Sequence, residues 1–402
     1  MFISPPFKEI LPGWRKSIID VATRPLLLST TTHQTNKNLV TVKARIPSSS
    51  LGSLPYSLST SHVSSLTSSS AFITTSATTT IVKPSKLSRR NYTAEKVRCG
   101  TSKQVAVVGA GAVGSTIALL TMMKNVASEI LLVDKAKDFA LGQTWDLADA
   151  NIVNSTKVRQ GTLKQAGQAE VIVIATGAKQ QPGESRQQLI DRNYEMLKET
   201  IDGMQPIQKD GVMVLVTNPV DTLTLIAQNI SGLPRNQVFG SGTYLDTCRL
   251  TVYLSDLFNI SPSCIHAYVL GEHGDSQFIA WDAASIGGRP LNSFPEIRQL
   301  DKETVRLAIA NKAMDIIDYK GSTYYGIGAC GASICESILR NALNIRPLSV
   351  YVKEFDTVLS IPSKLGAKGI EQIMPVPLSP GEHKQLMESA ATLRAIGERY
   401  QK

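Results

Sequence analysis

Apolar and polar positions follow one pattern in the middle of this 402-residue chain and another toward its end. Between Val105 and Gly242, short β-branched runs alternate with longer helix-like segments, and Gly and Pro mark the boundaries. The clearest β-branched runs are 105–108, 130–133 and 171–175, and the first is followed by a helix-like segment at 115–124. This alternation is typical of a parallel, doubly wound α/β sheet, which we expect over residues 103–242.

The pattern changes from Thr243 onward. Longer helical periods, of which 303–319 and 380–400 are the clearest, mix with short β-rich pieces. We therefore expect a second domain, of the α+β class, over residues 243–402. Ligand sites are common between two domains, so the seam is where we expect one.

The first hundred residues differ in composition from the rest. They hold 13 Lys and Arg against 3 Asp and Glu, a net charge of +10, which leaves the other 302 residues at −1 of the total of +9. Their Ser/Thr-rich composition cannot bury enough apolar surface to fold, so residues 1–100 are expected to be disordered. Since the basicity belongs to this extension, the folded part is not expected to bind nucleic acid. Few acids with Arg, Ser and Thr resemble a mitochondrial transit peptide, while Pro5, Pro6 and Pro12 argue against one, so mitochondrial and cytoplasmic locations both stay open.

The cysteines and the apolar runs exclude other classes of site. The five cysteines form no C-x-x-C pair and no Cys/His metal spacing, which predicts reduced thiols and no metal site. No run approaches the roughly 18 apolar residues of a membrane span, so we expect no membrane partner. Cys248 is expected to pack on the inner side of its helix rather than to act as a nucleophile.

A Gly-rich turn follows the first strand. Gly109, Gly111 and Gly114 form a G-x-G-x-x-G motif between a β-branched run and a helix-like segment. The first Gly permits the tight turn, the second lets the backbone approach a pyrophosphate, and the third packs helix on strand. The second strand ends in Asp134, twenty residues after Gly114, where a carboxylate binds the ribose hydroxyls of adenosine and repels a 2′-phosphate. The pattern predicts NAD rather than NADP.

Three polar clusters further along supply what a proton-coupled hydride transfer needs. Residues 178–186 form a polar loop at the carboxyl end of a strand, where open sheets bind ligands, and the loop ends in Arg186. Asp246 and Arg249 lie three residues apart at the start of a helix, which alone would indicate an ordinary surface ion pair. His273 lies in the Gly-flanked turn G-E-H-G-D-S, where we expect an exposed imidazole with a pKa near neutrality.

Together these motifs resemble those of the lactate and malate dehydrogenases, and the L-lactate dehydrogenases more than the malate dehydrogenases. The resemblance runs from Val105 to the C-terminus, about three quarters of the chain. It implies a Rossmann-type fold and reversible hydride transfer between NADH and a 2-oxo acid. By the same resemblance His273 is the catalytic acid and base, Asp246 is its carboxylate partner, and Arg186 polarises the substrate carbonyl.

The resemblance also implies which residues bind the substrate. Arg249 holds the substrate carboxylate, Thr323 lines the pocket, and Asn218 hydrogen-bonds near the nicotinamide and the reacting oxygen. Gln180, six residues before Arg186, stands where the malate dehydrogenases carry Arg. A glutamine offers no charge to a second carboxylate, so pyruvate and L-lactate are the expected substrates. The alternatives are a malate or broader 2-hydroxy-acid dehydrogenase and a non-catalytic NAD-binding protein.

Two positions bear on regulation. Some bacterial relatives bind fructose 1,6-bisphosphate through an Arg and a His at a subunit interface. Here His266 matches the His, but Thr251 takes the position of the Arg, so no activation by that sugar phosphate is expected. His266 is then expected to be a packed or interfacial residue. The resemblance implies a homo-oligomer, either a tetramer or a dimer.

Overall fold

The computed structural model of the protein describes residues 103–178 and 186–400. The prediction of a disordered extension at residues 1–100 lies outside these ranges, as does the prediction for Gln180. The strands are β1 (Gln104–Val108), β2 (Glu129–Val133), β3 (Lys157–Gln160), β4 (Val171–Ile174), β5 (Val212–Leu215), β6 (Val238–Gly240), β7 (Ile265–His266), β8 (Val269–Leu270), β9 (Phe278–Ile279), β10 (Ser285–Ile286), β11 (Arg289–Pro290), β12 (Asn344–Val352), β13 (Thr357–Gly366) and β14 (Gly369–Ile373). The α-helices are α1 (Ala112–Met123), α2 (Lys137–Asp149), α3 (Leu163–Ala166), α4 (Arg186–Met204), α5 (Val220–Ile230), α6 (Tyr244–Phe258), α7 (Pro295–Arg298), α8 (Lys302–Lys320), α9 (Tyr325–Leu339) and α10 (Pro380–Gly397).

The large sheet has the strand order β14-β13-β12-β6-β5-β4-β1-β2-β3. Every pairing among β1 to β6 is parallel, and β1 lies between β2 and β4, so the winding reverses at β1. Open α/β sheets bind ligands at the carboxyl ends of the strands beside such a reversal. The predicted doubly wound parallel sheet is confirmed, and the three predicted β-branched runs fall on β1, β2 and β4.

Alternation along β1 explains why helices cover both faces of the sheet. Val105 and Val107 are fully buried on the face covered by α1, α2, α9 and α10. Ala106 and Val108 are buried on the opposite face, against α3, α4 and α5. Because successive side chains of a strand point to opposite faces, the apolar run 105–108 must be covered on both sides.

The C-terminal half of the chain contributes to the same sheet. Strands β12, β13 and β14 pair in antiparallel fashion, and β12 meets β6 where Ser349 lies opposite Gly240. The mixture of helices and short strands is as expected for an α+β region. The hydrophobic pattern did not reveal that these strands extend the parallel sheet, since the sequence of a strand does not indicate which other strand it pairs with.

A smaller core lies on the other side of α6. It contains Leu250, Tyr253 and Leu254 of α6 with Val305 and Ile309 of α8. Helix α6 is therefore held by packing along its length. None of the helices in the described part of the chain combines the length and the apolar character that crossing a membrane requires.

Two predicted helix boundaries shift in the structure. The helix expected at 115–124 begins earlier, at Ala112, because Gly111 is its N-cap and the Gly-rich turn runs directly into it. The helix expected at 380–400 ends at Gly397 and continues as a 3₁₀ turn, Glu398–Tyr400. The helix expected at 303–319 spans Lys302–Lys320, as predicted.

Candidate active site

The turn between β1 and α1 explains two of the three motif glycines through packing. Gly109 has a φ of +102°, and a Cβ there would lie 2.6 Å from the carbonyl carbon of Ala175. A Cβ on Gly114 would overlap the carbonyl oxygen of Gly109, so this glycine lets α1 pack against the end of β1. Both requirements match the roles predicted from the motif.

No contact within the protein requires a glycine at position 111. A Cβ at this position would meet no protein atom within 4 Å, yet Gly111 lines a cleft of about 770 Å³ at the carboxyl ends of the strands. Gly111 is also the N-cap of α1 and makes no side-chain cap, so the N–H groups of the first turn are available to an anion. The residues present therefore fit a dinucleotide pyrophosphate.

Asp134 lines the same cleft at the end of β2. Its carboxylate accepts hydrogen bonds from the backbone N–H groups of Ala110 at 2.8 Å and Ala136 at 2.9 Å. These bonds fix the carboxylate beside the Gly-rich turn. A carboxylate accepts about four hydrogen bonds, so capacity remains for two ribose hydroxyls. The ribose contact stays a prediction.

The second group of site residues centres on His273. The chain leaves β8 through Gly271, whose φ is +91°, and His273 follows two residues later. Its Nδ1 lies 2.7 Å from Oδ2 of Asp246. The expectation of an exposed imidazole is wrong: the side chain is 26% exposed, because the turn folds back onto α6. A carboxylate beside Nδ1 favours the tautomer with a proton there, which leaves Nε2 as the atom that exchanges a proton.

Asp246 serves two cations at once. It lies in the first turn of α6 and is buried, and its Oδ1 accepts a hydrogen bond from Nη1 of Arg249 at 3.1 Å. The surface ion pair that spacing alone indicated is thus a buried bridge between an imidazole and a guanidinium. Burial raises the pKa of Asp246, but the charge and hydrogen bond of His273, with those of Arg249, more than offset this and hold the pKa below its usual value.

The same contact shifts the pKa of His273. Burial lowers it, but the charge and hydrogen bond of Asp246, with the charge of Asp221, outweigh burial and raise the pKa above its usual value. The imidazole is therefore a better base than free histidine and holds its proton to a higher pH. Such a group can give a proton to a substrate oxygen and take it back.

Asp221 binds the His273 turn, and sequence reasoning missed it. It is buried in the first turn of α5, and its Oδ2 accepts a hydrogen bond from the backbone N–H of His273 at 2.7 Å. Its Oδ1 accepts hydrogen bonds from Oγ of Ser349 at 2.6 Å and of Ser360 at 3.4 Å. Burial raises the pKa of Asp221 to about 6, although the Ser349 and His273 hydrogen bonds act in the opposite direction. A lone acid at the start of the apolar helix V-D-T-L-T-L-I-A was the available signal.

Asn218 lies just after β5 and is exposed. Its backbone carbonyl accepts a hydrogen bond from Nδ2 of Asn193 at 2.9 Å, while Oδ1 of Asn193 accepts one from the N–H of Ala178 at 2.8 Å. Asn193 is buried on α4, so one amide side chain joins the segments that follow β4 and β5. Sequence reasoning missed Asn193, because nothing in the helical pattern distinguishes it from an ordinary polar position.

The structure describes the remaining predicted site residues only in part. Thr323 lies half-buried in the connection between α8 and α9. The backbone of Arg186 begins α4, but its side chain, like the whole of Gln180, lies outside the described residues. The structure thus brings together His273, Asp246 and Arg249. It places Gly109, Gly111 and Asp134 at the cleft, with Gly114 packed behind Gly109.

The positions that bear on regulation and thiol chemistry are also placed. His266 is exposed on β7, so the prediction that it is packed is wrong within this chain, and the interfacial alternative stays a prediction. Thr251 donates a hydrogen bond to the carbonyl of Thr247 at 2.9 Å. Cys248 contacts the buried thiol of Cys330 on α9, and this hydrogen bond lowers its pKa, against the effect of burial. Across residues 103–178 and 186–400, His, Cys, Asp and Glu form no cluster of three or more that could hold a metal ion.

Comparisons with known proteins agree with this geometry. Residues 103–240 match the model of the lactate/malate dehydrogenase NAD binding domain, and residues 243–402 match that of the lactate/malate dehydrogenase alpha/beta C-terminal domain. The chain is 52% identical over 293 residues to L-lactate dehydrogenase A of Rhizopus oryzae, covering 73% of this chain and 92% of that protein. It is 39% identical over 308 residues to L-lactate dehydrogenase of Kosmotoga olearia, covering 73% and 95% of the two chains.

Solved structures show the same likeness. A lactate dehydrogenase from a Medee basin deep-sea metagenome library has a TM-score of 0.72 and 33% identity, covering 75% of this chain and 100% of that chain. The minor L-lactate dehydrogenase from Enterococcus mundtii, solved in a ligand-bound form, has a TM-score of 0.71 and 32% identity, covering 75% and 99% of the two chains. Both family models and full-length relatives thus agree, and the chain belongs to the lactate/malate dehydrogenase family.

Proposed function

We propose that this chain is an NAD-dependent L-lactate dehydrogenase that interconverts pyruvate and L-lactate. The observation that carries the proposal is that one buried carboxylate, Asp246, binds both the imidazole of His273 and the guanidinium of Arg249. This arrangement supplies a proton donor and a carboxylate anchor at a fixed separation. The relatives named above, at 52% and 39% identity, carry the name L-lactate dehydrogenase.

When bound, NADH supplies the hydride for the carbonyl carbon. Nε2 of His273 gives its proton to the developing alkoxide, and in the reverse direction it takes the proton from the hydroxyl of lactate. Asp246 stabilises the imidazolium and keeps Nδ1 protonated, so the ring does not have to turn during the reaction. Arg186, by its resemblance to the family's loop arginine, is proposed to polarise the carbonyl.

Arg249 is proposed to hold the substrate carboxylate. A guanidinium has five N–H donors, and Asp246 uses one of them through Nη1, so a bidentate pair with a carboxylate can still form. Thr323 is proposed to line the pocket, and Asn218 to contact the nicotinamide and the reacting oxygen. These roles are supported by the positions of the residues in matching motifs.

Substrate choice is proposed to rest on Gln180. Burying the second carboxylate of oxaloacetate without a cation would cost several kcal/mol, so a neutral glutamine favours pyruvate. The alternative is a malate or broader 2-hydroxy-acid dehydrogenase, because single changes at such positions switch specificity by orders of magnitude. A Gln180→Arg variant is expected to shift preference toward oxaloacetate.

We propose that the protein is a homo-oligomer, either a dimer or a tetramer. Helix α2 and the turn after it expose Trp145 at 64% and Ile152 at 90%, apolar surface that an interface with a second copy of the chain would bury. Light scattering on the purified protein is expected to give a mass of two or four chains. No activation by fructose 1,6-bisphosphate is expected, since Thr251 supplies no cation to a phosphate.

The extension at residues 1–100 is proposed to lie outside the catalytic unit, since the family match begins at residue 103. N-terminal sequencing of the mature protein tests its role. A start near Thr93 would support mitochondrial import, and an intact Met1 would support cytoplasmic residence.

The decisive experiment is steady-state NADH oxidation by the full chain with pyruvate and with oxaloacetate at matched concentrations. A kcat/KM for pyruvate at least about a hundredfold higher supports the lactate assignment. Equal or reversed preference would assign the protein to the malate or broad-specificity class. Tight NADH binding without turnover of either substrate would favour a non-catalytic NAD-binding protein.

A further inference from the structure

The C-terminal segment contacts both sides of the proposed catalytic site. Helix α10 packs into the main core through Leu386, Ala390 and Leu393, and a Cβ on Gly397 would lie 2.5 Å from Cδ2 of Leu225 on α5. The helix is therefore fixed to the body of the protein along its length. The segments that contact the middle of α10 and the turn after its end are therefore held relative to that body.

Near its middle, α10 holds the turn that carries the catalytic histidine. Oγ of Ser389 accepts a hydrogen bond from the backbone N–H of Glu272 at 2.6 Å and lies 3.0 Å from Oγ of Ser276. Glu272 directly precedes His273 in the chain. A Cβ on Gly271 would lie 2.7 Å from Oγ of Ser389, so the turn and the helix are in close contact.

At its end, the same segment holds the first turn of α4. The hydroxyl of Tyr400 accepts a hydrogen bond from Nε2 of Gln187 at 2.5 Å and donates one to Oδ1 of Asp191 at 2.5 Å. Nε2 of Gln187 also donates to Oδ1 of Asp191 at 2.9 Å, so the three side chains form a closed ring of hydrogen bonds. The rings of Tyr400 and Tyr194 pack at a centroid distance of 5.4 Å.

We infer that Tyr400 is a positioning residue for the reaction proposed above: its hydroxyl fastens the start of α4, and thereby the backbone of Arg186, to the 3₁₀ turn that continues α10, the helix that fixes the His273 turn. The inference rests on the proposed function, because it gives Arg186 a role in turnover. Arg186 is the first residue of α4, and Gln187 is the second. Helix α4 is already tied at its middle by Asn193, so Tyr400 supplies the second point that sets its direction at the N-terminal end.

The chemistry of Tyr400 suits a permanent link. Burial, with the hydrogen bond to Asp191, raises the pKa of Tyr400 to about 12, so its hydroxyl stays a donor throughout the physiological range. The link therefore does not switch with pH. Its effect on turnover is expected to be the same at pH 6 and pH 9.

The test compares Tyr400→Phe with a matched control, Tyr351→Phe. The hydroxyl of Tyr351 also donates to an aspartate, Oδ1 of Asp356 at 2.5 Å, but on the hairpin between β12 and β13. Tyr400→Phe is expected to lower kcat/KM for pyruvate about fivefold to tenfold, as the loss of one positioning hydrogen bond predicts, with the Kd for NADH within about twofold of the unmodified chain. Tyr351→Phe is expected to leave both unchanged.

A double-mutant cycle separates positioning from general stability. Asp191→Ala removes the acceptor of the same bond, so combining it with Tyr400→Phe is expected to cost little more than either change alone. If Tyr400→Phe does not yield folded protein, Asp191→Ala tests the contact from the other side. Equal kcat/KM for Tyr400→Phe and Tyr351→Phe would overturn the inference, as would full additivity in the cycle.

The unmodified chain is assayed first: no turnover of pyruvate there defeats the proposed function itself, whereas turnover with no effect of Tyr400→Phe defeats only this inference.

Discussion

At the scale of single residues, the proposed chemistry depends on one carboxylate that binds two cationic side chains. Asp246 orients His273 through one oxygen and Arg249 through the other. A change at any of the three alters the charge balance of the others. The expected effects differ, because His273 is proposed to move a proton, Arg249 to bind the substrate, and Asp246 to orient both of these side chains.

Replacing the proton donor separates chemistry from binding. His273→Asn is expected to lower kcat for pyruvate reduction by about 10²- to 10⁴-fold, the usual contribution of a positioned general acid. NADH affinity, measured by fluorescence titration, is expected to stay within about twofold. Turnover near the level of the unmodified chain would remove His273 from the mechanism.

The raised pKa of His273 gives the two reaction directions opposite pH profiles. Pyruvate reduction requires the protonated imidazole, so its kcat/KM is expected to be level at low pH and to fall as pH rises through the pKa of His273. Lactate oxidation requires the neutral imidazole and is expected to rise through the same range. Because Asp246 raises this pKa, both midpoints should lie above about 6.5, the value of a free imidazole. Profiles of kcat/KM from pH 5 to pH 10 in both directions test this, and parallel profiles would contradict it.

Arg249 tests the carboxylate anchor. Arg249→Lys keeps the charge but loses the planar pair of donors, and a point charge cannot bind Asp246 and the substrate with the same geometry. We expect kcat/KM for pyruvate to fall by about 10- to 100-fold, mainly through KM. Arg340→Lys is the matched control, because Arg340 also pairs with an acid one helical turn away, Glu336 at 3.2 Å, but is 54% exposed at the end of α9. A similar loss in both variants would argue against the anchor.

Sequence alone predicted the site residues that belong to local motifs. The spacing of the glycines and Asp134 predicted a dinucleotide site, and the resemblance of two further motifs implied the roles of Asp246 and His273. Asp221 and Asn193 were missed because their partners lie far away in the chain: Asp221 binds Ser349, and Asn193 binds the backbone of Ala178. A pattern of apolar and polar positions contains no information about such contacts.

At the scale of secondary-structure elements, the proposed site lies where several connecting segments contact one another. Asp221 joins the start of α5 to β12 and β13 and to the turn after β8. The hydrophobic pattern predicted β1, β2, β4, α1, α8 and α10, since their periods are regular. The start of α1 shifted because Gly111 caps it, whereas the start of α10, after its cap Ser379, fell at the predicted residue.

Removing the carboxylate of Asp221, the junction between these elements, is expected to lower stability and turnover together. Asp221→Ala leaves the part-buried N–H of His273 without an acceptor and the buried hydroxyl of Ser349 without its partner, and each such loss costs about 1–3 kcal/mol. We expect the free energy of unfolding, from urea titration, to fall by several kcal/mol and kcat to fall as the His273 turn moves. Thr251→Ala, which removes only a hydroxyl bonded within α6, is the control and should change neither by much. An unchanged urea midpoint for Asp221→Ala would contradict the role of the junction.

At the scale of the whole molecule, the sheet is one body although two family models divide the chain. Residues 103–240 form its parallel part, and strands β12 to β14 continue it from β6. The class of each part was predictable from alternation and helix period. The continuity was not, because β6 is short and buried and its sequence, V-F-G, does not show that a strand more than a hundred residues later pairs with it.

This continuity has a consequence for how the protein is made. A ribosome delivers the chain from its N-terminus, so β1 to β6 can form their sheet while the residues of β12 are still untranslated. During that interval β6 is an open edge strand, with its backbone donors and acceptors unpaired on one side, and such edges recruit other chains. Asp221 lacks its serine partners during the same interval. The nascent chain therefore carries this open edge from the synthesis of Gly240 until that of Ser349.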